Sequence, residues 1–150
     1  MPTGFFNVPI PVNERVRNYA PGTRERADLK AEIERLRSQV LDIPMYIGGK
    51  EVRTENRVPI HPPHERKHLL GHYHKGDASH VQMAIEAAME AKAKWAALSW
   101  EHRASIFLKA ADLIANTYGD TINAATMLAQ SKNVMQAEID SACEMADFLR

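Results

Sequence analysis

The sequence predicts an α/β chain that is mainly helical and carries short antiparallel β-hairpins. Residues 77–114 place apolar side chains at the 3.6-residue spacing of two amphipathic helices. Gly48 and Gly49 stand between two short segments of strand-forming residues, which is typical of a tight hairpin turn. At 150 residues, the chain is long enough for one domain with its own core.

The first 43 residues predict an extended arm followed by a surface helix. Residues 1–22 contain four prolines, and the apolar side chains among them predict that the arm lies against another surface: Phe5, Phe6, Val8 and Ile10. Thr23 stands where it can cap a helix through about Val40, and the charged segment after it carries one narrow apolar stripe: Leu29, Ile33, Leu36 and Val40. We therefore divide the chain into an arm (1–22), a surface helix (23–43) and a body (44–150).

The body opens with strand signals. Residues 45–47 and 50–53 flank the two glycines as the arms of a hairpin. Residues 58–61 and 68–74 predict two further short strands, which Pro62 and Pro63 separate.

Helices are predicted for the rest of the chain. Asp77 and Ser99 each precede an apolar-periodic segment, where a side-chain oxygen can accept a hydrogen bond from a first-turn N–H. The two apolar stripes are rich in alanine, so we expect these helices to pack closely against something: Val81, Ala84, Ile85, Ala88 and Trp95 in the first, and Ala104, Phe107, Leu108, Ala111 and Ile114 in the second. A third helix should span about 119–129, a break follows at 131–133, and a last helix should run from Val134 to the terminus.

The last helix carries no stop signal. No glycine or proline follows it, and several apolar residues still need covering: Ala142, Met145, Phe148 and Leu149. We expect that the complete protein continues beyond residue 150, and that Trp95, Phe107, Met145 and Phe148 are partly uncovered in this chain. The alternative is a C-terminal helix that simply ends with its domain.

The composition is that of an ordinary soluble chain, with 45% hydrophobic and 25% charged residues. Nineteen basic and nineteen acidic residues cancel without any block of like charge, which argues against nucleic acid or an anionic membrane as the main partner. The single cysteine excludes an internal disulfide and favours a reducing compartment. No uncharged apolar segment approaches the roughly 18 residues of a spanning helix. The N-terminus resembles no signal or transit peptide, which predicts the cytoplasm, with the mitochondrial matrix as the alternative.

Three groups of residues are candidates for chemical sites. Five histidines fall within fourteen residues and raise the hypothesis of a metal site, against polar surface histidines as the alternative: His61, His64, His68, His72 and His74. Cys143 lies among carboxylates that favour the protonated thiol, so we interpret it as structural. Four carboxylates of the last helix form either a solvated face or a substrate contact: Glu138, Asp140, Glu144 and Asp147. Neither a G-x-G-x-x-G motif nor a P-loop occurs.

Taken in order, these segments resemble the start of an aldehyde dehydrogenase. Residues 46–50 resemble that family's opening strand, and residues 77–95 and 103–113 resemble its first two helix motifs. Residues 106–112 and 136–140 resemble the branch of the family that oxidises L-glutamate γ-semialdehyde. The N-terminal arm resembles the extension of the same branch, so the resemblance covers essentially the whole chain.

The resemblance implies a three-part enzyme with a Rossmann-like NAD domain, a catalytic domain and a β-flap that forms a homo-oligomer. It implies NAD as the cofactor and an aldehyde as the substrate. The nucleophilic cysteine, the general base, the oxyanion asparagine and the cofactor-binding turns of the family belong to segments after the position of Arg150. No catalytic, cofactor-binding or metal-binding residue is therefore expected here, and the Rossmann sheet is not included in this chain.

One position carries over from the family. The helix that matches 134–150 lines the substrate tunnel, and Glu144 matches its tunnel-facing glutamate. The family also has Gly-Lys before this helix, where this chain has Ser131 and Lys132. The first hypothesis is therefore the N-terminal part of a glutamate-semialdehyde dehydrogenase, inactive by itself. The second is a non-catalytic helical interaction module.

Overall fold

The computed structural model describes residues 4–150, so the first three residues of the predicted arm lie outside it. The helices are α1 (Arg24–Arg37), α2 (Ala78–Ala97), α3 (Trp100–Asp112), α4 (Gly119–Gln130), α5 (Val134–Ala137) and α6 (Glu144–Leu149). Two π-helical segments, Leu113–Thr117 and Glu138–Cys143, extend α3 and join α5 to α6. The strands are β1 (Leu41–Ile43), β2 (Met45–Ile47), β3 (Lys50–Val52), β4 (Arg57–Ile60) and β5 (Gly71–His74). The mainly helical prediction is confirmed.

Residues 4–22 of the arm form no helix or strand and lie along the last helix, which we define as α5, the π-helical segment Glu138–Cys143 and α6. The Glu14 N–H donates to Asp147 Oδ1 at 2.6 Å, and the Arg150 guanidinium donates to the Val12 carbonyl at 3.2 Å. These bonds dock the second half of the arm. Its apolar start is not covered in this chain, because Phe5, Phe6, Val8 and Ile10 are all exposed.

Helix α1 packs against α4, and the main core lies between them. Leu29 and Leu36 are buried there with Tyr19, Leu70, Ala124 and Leu128. The predicted extension to Val40 is wrong, because the helix ends at Arg37 and Val40 is exposed. The predicted cap is wrong as well: the Thr23 hydroxyl donates to the Ala20 carbonyl and closes the preceding turn.

The strands form a hairpin and a small mixed sheet. Strands β2 and β3 pair antiparallel, and Gly48 and Gly49 have positive φ, as the turn prediction requires. In the second sheet β5 lies between β4, antiparallel, and β1, parallel. The prediction of antiparallel pairs alone is therefore incomplete: residues 41–43, assigned to the surface-helix segment, form a strand. A Cβ at Gly71 would lie 2.4 Å from the Leu41 carbonyl oxygen, so this parallel pair depends on a residue without a side chain.

Helix α2 is almost entirely exposed. Asp77 caps it as predicted, accepting from the backbone N–H groups of Ser79 and His80. None of its residues is buried, and Val81 and Ile85 are 61% and 52% exposed. The predicted apolar stripe therefore exists, but the described residues do not cover it. Ser99 makes no side-chain cap, so that prediction is wrong.

The break after α4 depends on Ser131, which is left-handed with a φ of 57°. This conformation favours glycine. Ser131→Gly should raise the free energy of unfolding by about 0.5–1 kcal/mol in a urea titration, because it removes the backbone strain.

The matched control is Ser131→Ala, which also loses the hydroxyl contact to His64 Nδ1 (2.7 Å) but keeps the strain. It should not stabilise the chain. Equal destabilisation by both substitutions would contradict the strain argument.

Candidate substrate-contact site

Local sequence signals fix the start of the last helix. The Asn133 side chain accepts from the Gln136 N–H at 3.0 Å, and the Gln136 side chain accepts from the Asn133 N–H at 3.0 Å. This reciprocal capping box starts α5, with its cap residue two positions after the left-handed Ser131. The helix then passes through the π-helical segment to Glu144, the first residue of α6.

Glu144 lies at an open cavity of about 490 Å³ between the last helix and the arm. The side chains that surround it come from both segments: Asn13, Glu14, Val16, Ile139, Asp140, Cys143, Glu144, Asp147 and Phe148. The cavity is therefore acidic, with an apolar border at Val16, Ile139 and Phe148. It is large enough for a small polar molecule.

The other carboxylates of this cavity are already engaged. Glu14 pairs with Arg150 at 2.6 Å, and Asp140 pairs with Lys132 at 2.8 Å. Asp147 accepts from the Glu14 N–H. Among residues 4–150, the Glu144 carboxylate has no hydrogen-bond or salt-bridge partner, and the residue is exposed. It is thus the carboxylate at this cavity that is free to accept from a bound molecule.

Glu138 is a buried carboxylate at the centre of a hydrogen-bond network. The interpretation of these carboxylates as a solvated face missed its burial. It is 1% exposed and accepts from the Tyr19 hydroxyl at 2.7 Å and from Asn123 Nδ2 at 2.6 Å. The Arg17 N–H donates to its other oxygen at 2.8 Å. A buried carboxylate is tolerated only with such donors. One sequence signal was available: alanines stand near Glu138 in the sequence of the last helix, at Ala137, Ala142 and Ala146, and all three are buried.

Cys143 is buried beside Glu138, with its Sγ atom 3.7 Å from Oε1. Burial, the nearby Glu138 charge and this hydrogen bond raise the pKa of the thiol to about 11. A thiol with such a raised pKa is protonated at neutral pH, and the protonated form is a weak nucleophile. This agrees with the interpretation of Cys143 as structural.

The histidines do not converge. His61 contacts the His68 carbonyl, His64 contacts Ser131, and His74 contacts Asp42 Oδ1 at 3.1 Å. In the described part of the chain, no three His, Cys, Asp or Glu side chains come together as a metal site.

NAD needs a glycine-rich turn between a parallel strand and a helix N-terminus, where the phosphates bind. Residues 4–150 do not fit it. Their parallel pair, β1 and β5, is not joined through a helix, and Gly48 and Gly49 form the turn of an antiparallel hairpin. No helix in residues 4–150 has the length and apolarity that a membrane crossing requires.

Comparison with known proteins gives consistent matches. The model of the aldehyde dehydrogenase family matches residues 51–150. Δ1-Pyrroline-5-carboxylate dehydrogenase of Agaricus bisporus is 44% identical over 146 residues, which are 97% of this chain and 27% of that protein. The mitochondrial enzyme of Dictyostelium discoideum is 42% identical over 144 residues, 96% of this chain and 26% of that protein.

Solved structures give the same assignment as the sequence relatives. The Δ-pyrroline-5-carboxylate dehydrogenase of Mycobacterium tuberculosis, bound with NAD and cobalamin, superposes with a TM-score of 0.96 at 42% identity and covers 100% of this chain. The Thermus enzyme with bound NAD gives a TM-score of 0.86 at 27% identity over 96% of this chain. The chain matches 28% of each of these two chains, so it spans about a quarter of its relatives. The family resemblance is confirmed: the chain belongs to the aldehyde dehydrogenase family.

Proposed function

We propose that this chain is the N-terminal part of an NAD-dependent L-glutamate γ-semialdehyde dehydrogenase, an enzyme of proline catabolism that oxidises the semialdehyde to glutamate. The observation that carries the proposal is the match over the whole chain, at 42% identity and a TM-score of 0.96, to a Δ-pyrroline-5-carboxylate dehydrogenase. No observation favours the alternative of a standalone interaction module, since the relatives bear the names of dehydrogenases.

The complete enzyme would need segments that this chain does not contain. We place residues 44–150 at the edge of the NAD-binding domain, whose cofactor turns lie outside this chain. The nucleophile lies outside it as well, because Cys143 is buried and protonated. The complete enzyme would form a homo-oligomer, in the cytoplasm or the mitochondrial matrix; the Dictyostelium relative is named as mitochondrial.

Glu144 is the residue of this chain that we assign to the substrate. L-Glutamate γ-semialdehyde carries an ammonium group, and a carboxylate without a partner can accept hydrogen bonds from it. The neighbouring carboxylates have partners already, so Glu144 is the one that can turn to a ligand without breaking a salt bridge.

Glu144→Ala should raise the KM for Δ1-pyrroline-5-carboxylate about tenfold and change kcat little, because the lost contact lies away from the reacting carbon. The assay is NADH formation by the product of the same locus that spans the full length of the relatives.

Asp140→Asn is the matched control. It neutralises an exposed carboxylate of the same cavity that pairs with Lys132, and it should leave KM unchanged. An unchanged KM in Glu144→Ala would contradict the assignment of Glu144.

A further inference from the structure

Glu138 has no part in the contacts that the proposed function needs, yet it is the most deeply buried charged side chain of the described residues, at 1% exposure. Its donors come from two other segments of the molecule. The Arg17 N–H and the Tyr19 hydroxyl belong to the arm, and Asn123 belongs to α4. One carboxylate therefore holds the arm, α4 and the last helix together.

Glu138 also stands at the first position of the π-helical segment Glu138–Cys143. A π-helical turn contains one more residue than an α-helical turn. It rotates every later side chain about the helix axis by about 100° relative to an uninterrupted α-helix. Glu144 is the first residue after the segment, so its direction depends on this extra residue being retained.

The arm forms the opposite side of the Glu144 cavity. Asn13, Glu14 and Val16 line it, and the next residue, Arg17, gives its backbone N–H to Glu138. The Arg17 guanidinium also fixes the arm, because it donates to Asp120 Oδ1 at 2.8 Å and to the Ala115 carbonyl at 2.7 Å. Both sides of the cavity thus depend on groups that bind Glu138 or its immediate partners.

We propose that Glu138 is a positioning residue, which fixes the arm and the π-helical turn and thereby the place of Glu144 at the substrate. This inference rests on the proposed function. Loss of the Glu138 charge should weaken substrate binding through Glu144 and leave the chemical step intact.

The test variant is Glu138→Gln in the same long product of the locus. Glutamine keeps the size of the side chain. Both oxygens of Glu138 accept hydrogen bonds, so in either orientation of the amide its NH₂ group points at a donor and one hydrogen bond is lost. Asp112→Asn is the control, with the same carboxylate-to-amide change at an exposed position away from the Glu144 cavity, where the carboxylate pairs with Lys109 at 2.9 Å. The readouts are the rate of trypsin cleavage at Arg15 and Arg17, KM and kcat.

We expect Glu138→Gln to speed cleavage of the arm and to raise KM about threefold to tenfold, with kcat within about twofold. In a Glu144→Gln background the same substitution should no longer raise KM, because the two residues act as one unit. Asp112→Asn should change none of the three readouts. Tyr19→Phe, which removes a single donor to Glu138, is the milder variant and should shift the readouts in the same direction.

Two results would overturn the inference. One is faster arm cleavage with an unchanged KM, which would make Glu138 a structural residue only. The other is an equal rise in KM with and without Glu144. Failure of the proposed function looks different: the unsubstituted product would then form no NADH from Δ1-pyrroline-5-carboxylate, before any variant is compared.

Discussion

Replacing Tyr19 by phenylalanine should lower the free energy of unfolding by about 2 kcal/mol, the usual contribution of a hydrogen bond to a charged group. The hydroxyl donates to the buried Glu138 carboxylate at 2.7 Å. Burial and this bond raise the pKa of Tyr19 well above its usual value, so the hydroxyl is a donor throughout the neutral range. The phenyl ring would keep its place in the main core, and the loss therefore reports on the hydroxyl, which also accepts from Asn123 Nδ2 at 3.3 Å.

Tyr46→Phe is the matched control for this substitution. The Tyr46 hydroxyl also donates to a carboxylate, that of Glu51 at 2.9 Å, but the side chain is 70% exposed. A hydrogen bond in water contributes little, so the midpoint of urea unfolding should hardly move. Equal midpoints for the two variants would show that the Glu138 network does not stabilise the fold.

The second large effect concerns the uncovered face of α2. We expect the 150-residue chain to self-associate, because α2 buries none of its residues and leaves Val81, Ile85, Met89 and Trp95 exposed. Across the interhelix contact, Trp95 meets Phe107 edge-on at 6.4 Å, and both remain over 40% exposed. The predicted exposure of Trp95, Phe107, Met145 and Phe148 is confirmed.

The variant Ile85→Glu with Met89→Lys should make the chain monomeric by light scattering at the same concentration. It adds no net charge, and it should not lower the unfolding midpoint because neither side chain is buried. Gln82→Lys with Lys92→Gln keeps the net charge at polar positions of the same helix and should leave the association unchanged. A monodisperse unsubstituted chain with a sharp cooperative melt would contradict this account.

Local signals predicted most of the helical fold. The cap at Asp77 and the turn at Gly48 and Gly49 are set by residues close in sequence, and the structure confirms both. Strand β1 was missed because its partner, β5, lies about thirty residues later along the chain, and periodicity does not report such pairing. The π-helical segments were missed because a helical stripe of side chains does not reveal one inserted residue.

The candidate site was only partly predictable. Spacing could place Glu138 and Glu144 on the last helix but could not tell which of them is buried. That difference arises from the arm, where Tyr19 and Arg17 supply donors more than a hundred residues away in sequence. The choice of Glu144 came from the family resemblance and stays a prediction.

The measurement that tests the central claim most directly is NADH formation from Δ1-pyrroline-5-carboxylate and NAD. The 150-residue chain would be compared with the product of the same locus that spans the length of its relatives. The account predicts activity in the longer product alone, because the described residues form no NAD site and Cys143 is a buried, protonated thiol. Activity in the 150-residue chain, or in neither product, would contradict it.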